Sequence, residues 1–210
     1  MKLLWILFGL GKPSLQHLTL REHWKLNRLT WKASEGLDLS SSFAYQEYAM
    51  RAIPLLEKAV LDQPSEWLYW YKLGDCYSEV KEYTKAVQAC ERAMKVRPTD
   101  PRSTYALATM FRLLTHAKYT PSEAQEMNMR LRYMPIPQSM PRLTPGFYDP
   151  VASSRALEEL GLTPDDAAER AIRLFEETLA LGIRSDEIYP LVELSISVIY
   201  NEFPHLRKGT

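Results

Sequence analysis

Residues 67–100 read WLYWYKLGDCYSEVKEYTKAVQACERAMKVRPTD, and the spacing inside this stretch decides the fold. Trp70, Leu73 and Tyr77 recur at helical intervals and mark one apolar stripe. Gly74 lies on the same stripe. A glycine inside a helix costs about 1 kcal/mol relative to alanine, so a packing reason is expected: a second helix pressing on the backbone at that point. Ala86 and Ala93 put small side chains on one face of a second helix, which lets the two helices approach closely. Val80-Lys81-Glu82-Tyr83 is the short turn between them. Pro98 cannot continue a helix and closes the unit.

Trp70, Leu73, Gly74 and Tyr77 have the spacing W-x2-L-G-x2-Y. Ala86, Cys90, Ala93 and Pro98 follow as A-x3-(large)-x2-A-x4-P. The combined pattern resembles a tetratricopeptide repeat, a helix–turn–helix unit of about 34 residues. Such a unit cannot bury its apolar face alone. The resemblance therefore implies an all-α fold, a short solenoid of helical hairpins stacked on one another. It also implies a non-catalytic scaffold, adaptor or assembly subunit that holds a peptide or helix of a protein partner in its groove.

Working outward, Ala52, Leu56, Ala59 and Pro64 repeat the second-helix spacing. A helix is expected from about Phe43 to Leu61, with Pro54 kinking it or shifting its start. After Pro98, Thr104, Leu107, Ala108 and Phe111 repeat the first-helix spacing, which predicts a helix over 101–116. Its partner helix is missing where it should begin. The best match is Ala171, Phe175 and Thr178, with the alanine at 171 instead of 120, about 51 residues late. The interruption, about 117–163, has its own signals. Thr120-Pro121-Ser122-Glu123 reads as a helix start, with the helix reaching about Tyr133. Residues 134–150, MPIPQSMPRLTPGFYDP, are expected to be extended. A short helix over 150–160 stops at Gly161, and Thr163-Pro164-Asp165-Asp166 starts the returning helix. A last helix over about 187–203 echoes the first-helix pattern weakly through Leu191, Leu194, Ser195 and Val198, and reads as a cap on the array. The chain thus divides into a basic, Trp-containing extension, 1–36, and a repeat array, 37–210, with the insertion inside it. A helix over 14–33 is expected within the extension, carrying Leu20, Trp24 and Trp31.

The composition fits an ordinary globular chain: 210 residues, 46% hydrophobic, 25% charged, formal net charge zero. It lacks the basic footprint of a nucleic-acid binder. Its two cysteines, Cys76 and Cys90, imply no disulfide framework, and the expected location is the cytoplasm or another reducing compartment. Residues 1–36 carry six basic and two acidic residues, a charge of +4 that leaves −4 on the remainder. The opening MKLLWILFGL is too short to span a bilayer. Three readings fit it: packing on the domain, docking in a partner or membrane interface, or a cleaved signal. The alternative function is accordingly a membrane-peripheral assembly factor, anchored by this basic apolar N-terminus.

Catalytic chemistry is not signalled. The chain has no Gly-rich phosphate loop, HExxH, GxSxG or CxxC, and its four histidines are scattered. No cofactor, no metal and no catalytic residue is expected. The family resemblance places the interaction surface on the inner face of each first helix. That face comprises Leu68, Tyr71, Lys72, Asp75 and Glu79 in the clear unit, and Arg102, Tyr105, Thr109 and Arg112 in the next. Tyr71 and Tyr105 are 34 residues apart, so they should neighbour each other along the groove. The clamp by which some co-chaperones of this family bind acidic tails is incomplete: Arg102 could serve in it, but Lys72 and Ala106 stand where asparagine and arginine are wanted. The insertion, with Met127, Met129, Met134 and Met140 and the aromatics Tyr133, Phe147 and Tyr148, is either a docking arm or a filler of the array's own groove.

Overall fold

A computed structural model describes residues 42–133, 148–182 and 189–207. Its elements are α1 (Ser42–Asp62), α2 (Trp67–Glu79), α3 (Tyr83–Val96), α4 (Pro101–Leu114), α5 (Pro121–Tyr133), α6 (Pro150–Leu160), α7 (Pro164–Ala180) and α8 (Tyr189–Glu202). Single 3₁₀ turns follow α4 at Thr115–Lys118 and α8 at Pro204–Leu206. Among the described residues the fold is all-α. The expected helix over 14–33 and most of the proline-rich stretch, 134–147, lie outside the described residues.

Helices pack in sequence as α1 on α2, α2 on α3 and α3 on α4. The chain then skips: α4 makes its largest contact with α7, and α7 packs on α8. The third hairpin is therefore α4 with α7, closed across the insertion. Ala171, Phe175 and Thr178 are buried in α7, facing an α4 that buries Thr104, Leu107, Ala108 and Phe111.

The local reasons are visible at the helix ends. Asp100 caps α4, its Oδ1 accepting from the Arg102 N–H at 3.0 Å. Thr120 and Glu123 bond reciprocally at the start of α5. Thr163 and Asp166 form a capping box on α7. Gly161 ends α6 at φ 65°, in the left-handed region that favours glycine. Pro54 does not end α1, which runs through it from Ser42 to Asp62.

Gly74 has the packing reason that its position implied. A Cβ added there would stand 2.5 Å from Cys90 Sγ and 3.3 Å from the Ala86 carbonyl oxygen. Helix α3 crosses α2 at the glycine, with Ala86, Cys90 and Ala93 fully buried against it.

The expected register of the last helix is corrected. Leu194 is 48% exposed, and the buried face of α8 is Leu191, Val192, Ser195 and Ile199. Leu191 and Ser195 satisfy the expected stripe, but the larger residues lie one position away from it.

The insertion seats on the edge where first helices turn into second ones. Ser153 Oγ of α6 donates to the Leu113 carbonyl at 2.9 Å, and Thr84 at the start of α3 donates to Glu159. Asn128 of α5 mimics a peptide unit toward Tyr148: its Nδ2 donates to the Tyr148 carbonyl at 3.0 Å, and its Oδ1 accepts from the Tyr148 N–H at 2.8 Å.

Candidate peptide-binding face

The nine residues expected to line the inner face lie on α2 and α4, which contact each other directly. On α2, Leu68 is 42% exposed, and Tyr71, Lys72, Asp75 and Glu79 are half-buried. On α4, Tyr105, Thr109 and Arg112 are half-buried and Arg102 is exposed. Tyr71 lies within electrostatic reach of Tyr105, Asp75 and Arg102, so the two repeats bring these groups together.

Asp75 keeps 39% of its side chain exposed, with protein around the rest. Burial pushes its carboxyl up to about 6, opposed by Lys72 and assisted by Glu79. Lys72 Nζ stands 3.7 Å from Asp75 Oδ2 and 5.2 Å from the centre of the Tyr71 ring. Burial also raises the Glu79 carboxyl, with Lys81 opposing.

Three of the nine have local employment that spacing alone did not indicate. Arg102 makes two bonds to Asp100, at 3.1 and 2.9 Å, and stacks on Trp67 at 4.8 Å. Tyr105 packs its ring at 5.9 Å from that of Phe175. Thr109 donates its hydroxyl to the Tyr105 carbonyl one turn back, at 2.9 Å.

Arg112 stands at the far end of the face, beside a cluster that the sequence did not reveal. His116 is 4% exposed, and its ring lies 4.1 Å from that of Tyr148, with Tyr119 close by. Burial, then the nearby Arg112, Lys81 and Lys118, lower its imidazole to about 3. Its Nδ1 has no hydrogen-bond partner. Lys118 ties this corner to the end of α8, reaching the Glu202 carboxylate at 3.4 Å. An apolar cleft of about 420 Å³ opens between α5 and α6, lined by Ala124, Met129, Pro150 and Val151 among others.

A family model of the tetratricopeptide repeat matches residues 67–100. Those residues are a tetratricopeptide repeat. Repeats of this kind generally serve as protein–protein interaction scaffolds and are typically non-catalytic. No curated protein and no solved structure matches the chain. Among the described residues, no group of three or more His, Cys, Asp or Glu side chains could hold a metal ion, and no helix is long and apolar enough to cross a membrane.

Proposed function

We propose that the chain is a non-catalytic adaptor or assembly subunit that holds a peptide or helical segment of a protein partner on the inner face of α2 and α4. The observation that supports this best is the grouping of Tyr71, Asp75 and Tyr105 from successive repeats on one half-exposed surface. Tyrosine presents a large contact area with little side-chain entropy to lose. Leu68 adds an exposed apolar contact at the end of the same face.

The test is capture of partners from the native source by the tagged full chain. The comparison is a variant carrying Tyr71→Ala and Thr109→Arg, which empties one contact and fills another while sparing the ring of Tyr105 against Phe175. The variant should keep the helical circular dichroism of the parent and lose its specific partner. Undiminished capture by a folded variant would contradict the reading.

A second reading has support in the charge and composition of residues 1–36, which carry Trp5, Trp24 and Trp31 at a charge of +4: attachment to an anionic membrane surface. Co-sedimentation with phosphatidylserine vesicles should then require that segment. Equal, empty pellets with and without it would remove the reading.

A further inference from the structure

The insertion meets the array at a corner built around a buried histidine. Tyr148 makes the contact. Its ring lies 4.1 Å from that of His116 and 5.4 Å, edge on, from that of Tyr119. Both ends of the Asn128 amide grip its backbone from α5, while Ser153 of α6 bonds the Leu113 carbonyl at the end of α4. His116 is 4% exposed, and its Nδ1 is closed off from water and unpartnered.

These surroundings suit the ring only when it is neutral. With its proton on Nε2, the imidazole leaves a lone pair at Nδ1. A second proton would place an N–H and a positive charge there, with no acceptor to meet them. The groups that face the ring add to the penalty. Arg112 of α4, Lys81 of the turn before α3 and Lys118 of the 3₁₀ turn are all cationic. Burial holds the hydroxyls of Tyr119 and Tyr148 above their ordinary range, so both are uncharged. The carboxylates at this corner are engaged elsewhere: Asp149 of the insertion faces Lys81, and Glu202 of α8 faces Lys118 and Tyr119.

We propose that His116 is a pH-sensitive latch: the neutral ring seats Tyr148 and holds the insertion on the array, and the protonated ring releases Tyr148 and with it α5 and α6. The device is independent of what the inner face binds. Its sign follows from linkage. Docked, the imidazole is held down at about 3; released into water, it returns toward its ordinary value of 6.5. Docking is therefore at full strength above about 6.5 and weakens progressively as pH falls toward the docked value. Between pH 7 and pH 5 the opening constant of the insertion should rise more than about tenfold, with a limit of about 25-fold for a fully hydrated released ring.

The experiment is amide hydrogen exchange on the full chain at pH 7 and pH 5, corrected for the intrinsic pH dependence of exchange. Amides 152–160 should lose protection by more than about tenfold at pH 5, while those of α2 and α3 change by less than about twofold. His116→Phe keeps a ring under Tyr148 without a titrating group, and should keep protection at both pH values. Glu79, beside Lys81, is a second group that burial moves toward this interval; Glu79→Gln should leave the step intact. A step that survives His116→Phe, or that Glu79→Gln removes, would overturn the proposal. So would an equal loss of protection in α2 and α3, which marks acid loosening of the whole array. Imidazole titration by NMR needs no histidine variant. In Tyr148→Ala, with the insertion already released, the His116 ring should titrate near its ordinary value of about 6.5, and in the parent about one pH unit or more below that. Equal titration in the two chains would contradict the latch.

Discussion

At the scale of single residues, Gly74 carries the tightest constraint in the repeat. An alanine there gains about 1 kcal/mol of helix propensity but drives its Cβ into Cys90 Sγ in a core with no room to yield; overpacking of this kind costs about 1–3 kcal/mol. Gly74→Ala should therefore lower the urea midpoint. Cys90→Ala removes the obstructing sulfur, so the double variant should be less destabilised than the sum of the singles by about 1 kcal/mol. Simple additivity would contradict the crossing geometry. Asp100 is the second such residue: 8% exposed, it caps α4 and pairs with Arg102 and, at 3.6 Å, Arg97. Bonding to Arg102 holds its carboxyl below the usual range. A depressed carboxyl stabilises the fold above its unfolded pKa of about 4 and loses that contribution as pH falls through the lower folded value. Asp100→Ala should cost about 1–2 kcal/mol at pH 7, and the gap to wild type should narrow at pH 3. His116 gives the opposite kind of group. Its imidazole is held neutral by burial, so protonation favours the unfolded chain as pH falls below about 6.5. His116→Phe should flatten acid destabilisation between pH 6.5 and 4 in denaturant titrations; an unchanged slope would show that another group governs it.

At the scale of elements, the pairing of α4 with α7 across the insertion is the decisive arrangement. Phe175 is 1% exposed and meets the helix that precedes the insertion, through Tyr105. Phe175→Ala should cost about 3–5 kcal/mol and raise amide exchange in α4, some seventy positions upstream in sequence. Loss of protection confined to α7 would argue against the hairpin. Much of this level was legible in the residues. Thr120 with Glu123 and Thr163 with Asp166 announced helix starts, because capping chemistry is local. Ala171, Phe175 and Thr178 announced the delayed second helix, because side-chain size at a fixed spacing survives an insertion. The register of α8 was not legible: nearly every position from Leu191 to Ile199 is apolar or small, so periodicity does not choose a face. Nor was the local bonding of Arg102 and Tyr105. Spacing assigns a residue to a face of its helix, but its bonds depend on what the neighbouring helix brings opposite, here Asp100 at a helix start and Phe175 from beyond the insertion.

At the scale of the whole molecule, one repeat sets the packing rule and the elements around it define the surface. The insertion braces the edge where first helices turn into second ones, through Ser153, Thr84 and the His116–Tyr148 contact, and reaches the groove at its Arg112 end. That bracing ties α4 to α3, the helix that packs on α2. The most direct test places a photo-crosslinking amino acid, one position at a time, in the full chain within its native source. Leu68 and Thr109 report the inner face; Lys95 and Glu176, exposed on second helices, report the outer one. The account predicts one discrete protein adduct from positions 68 and 109 and none from 95 and 176. Adducts from 95 or 176 with none from the inner face would contradict it.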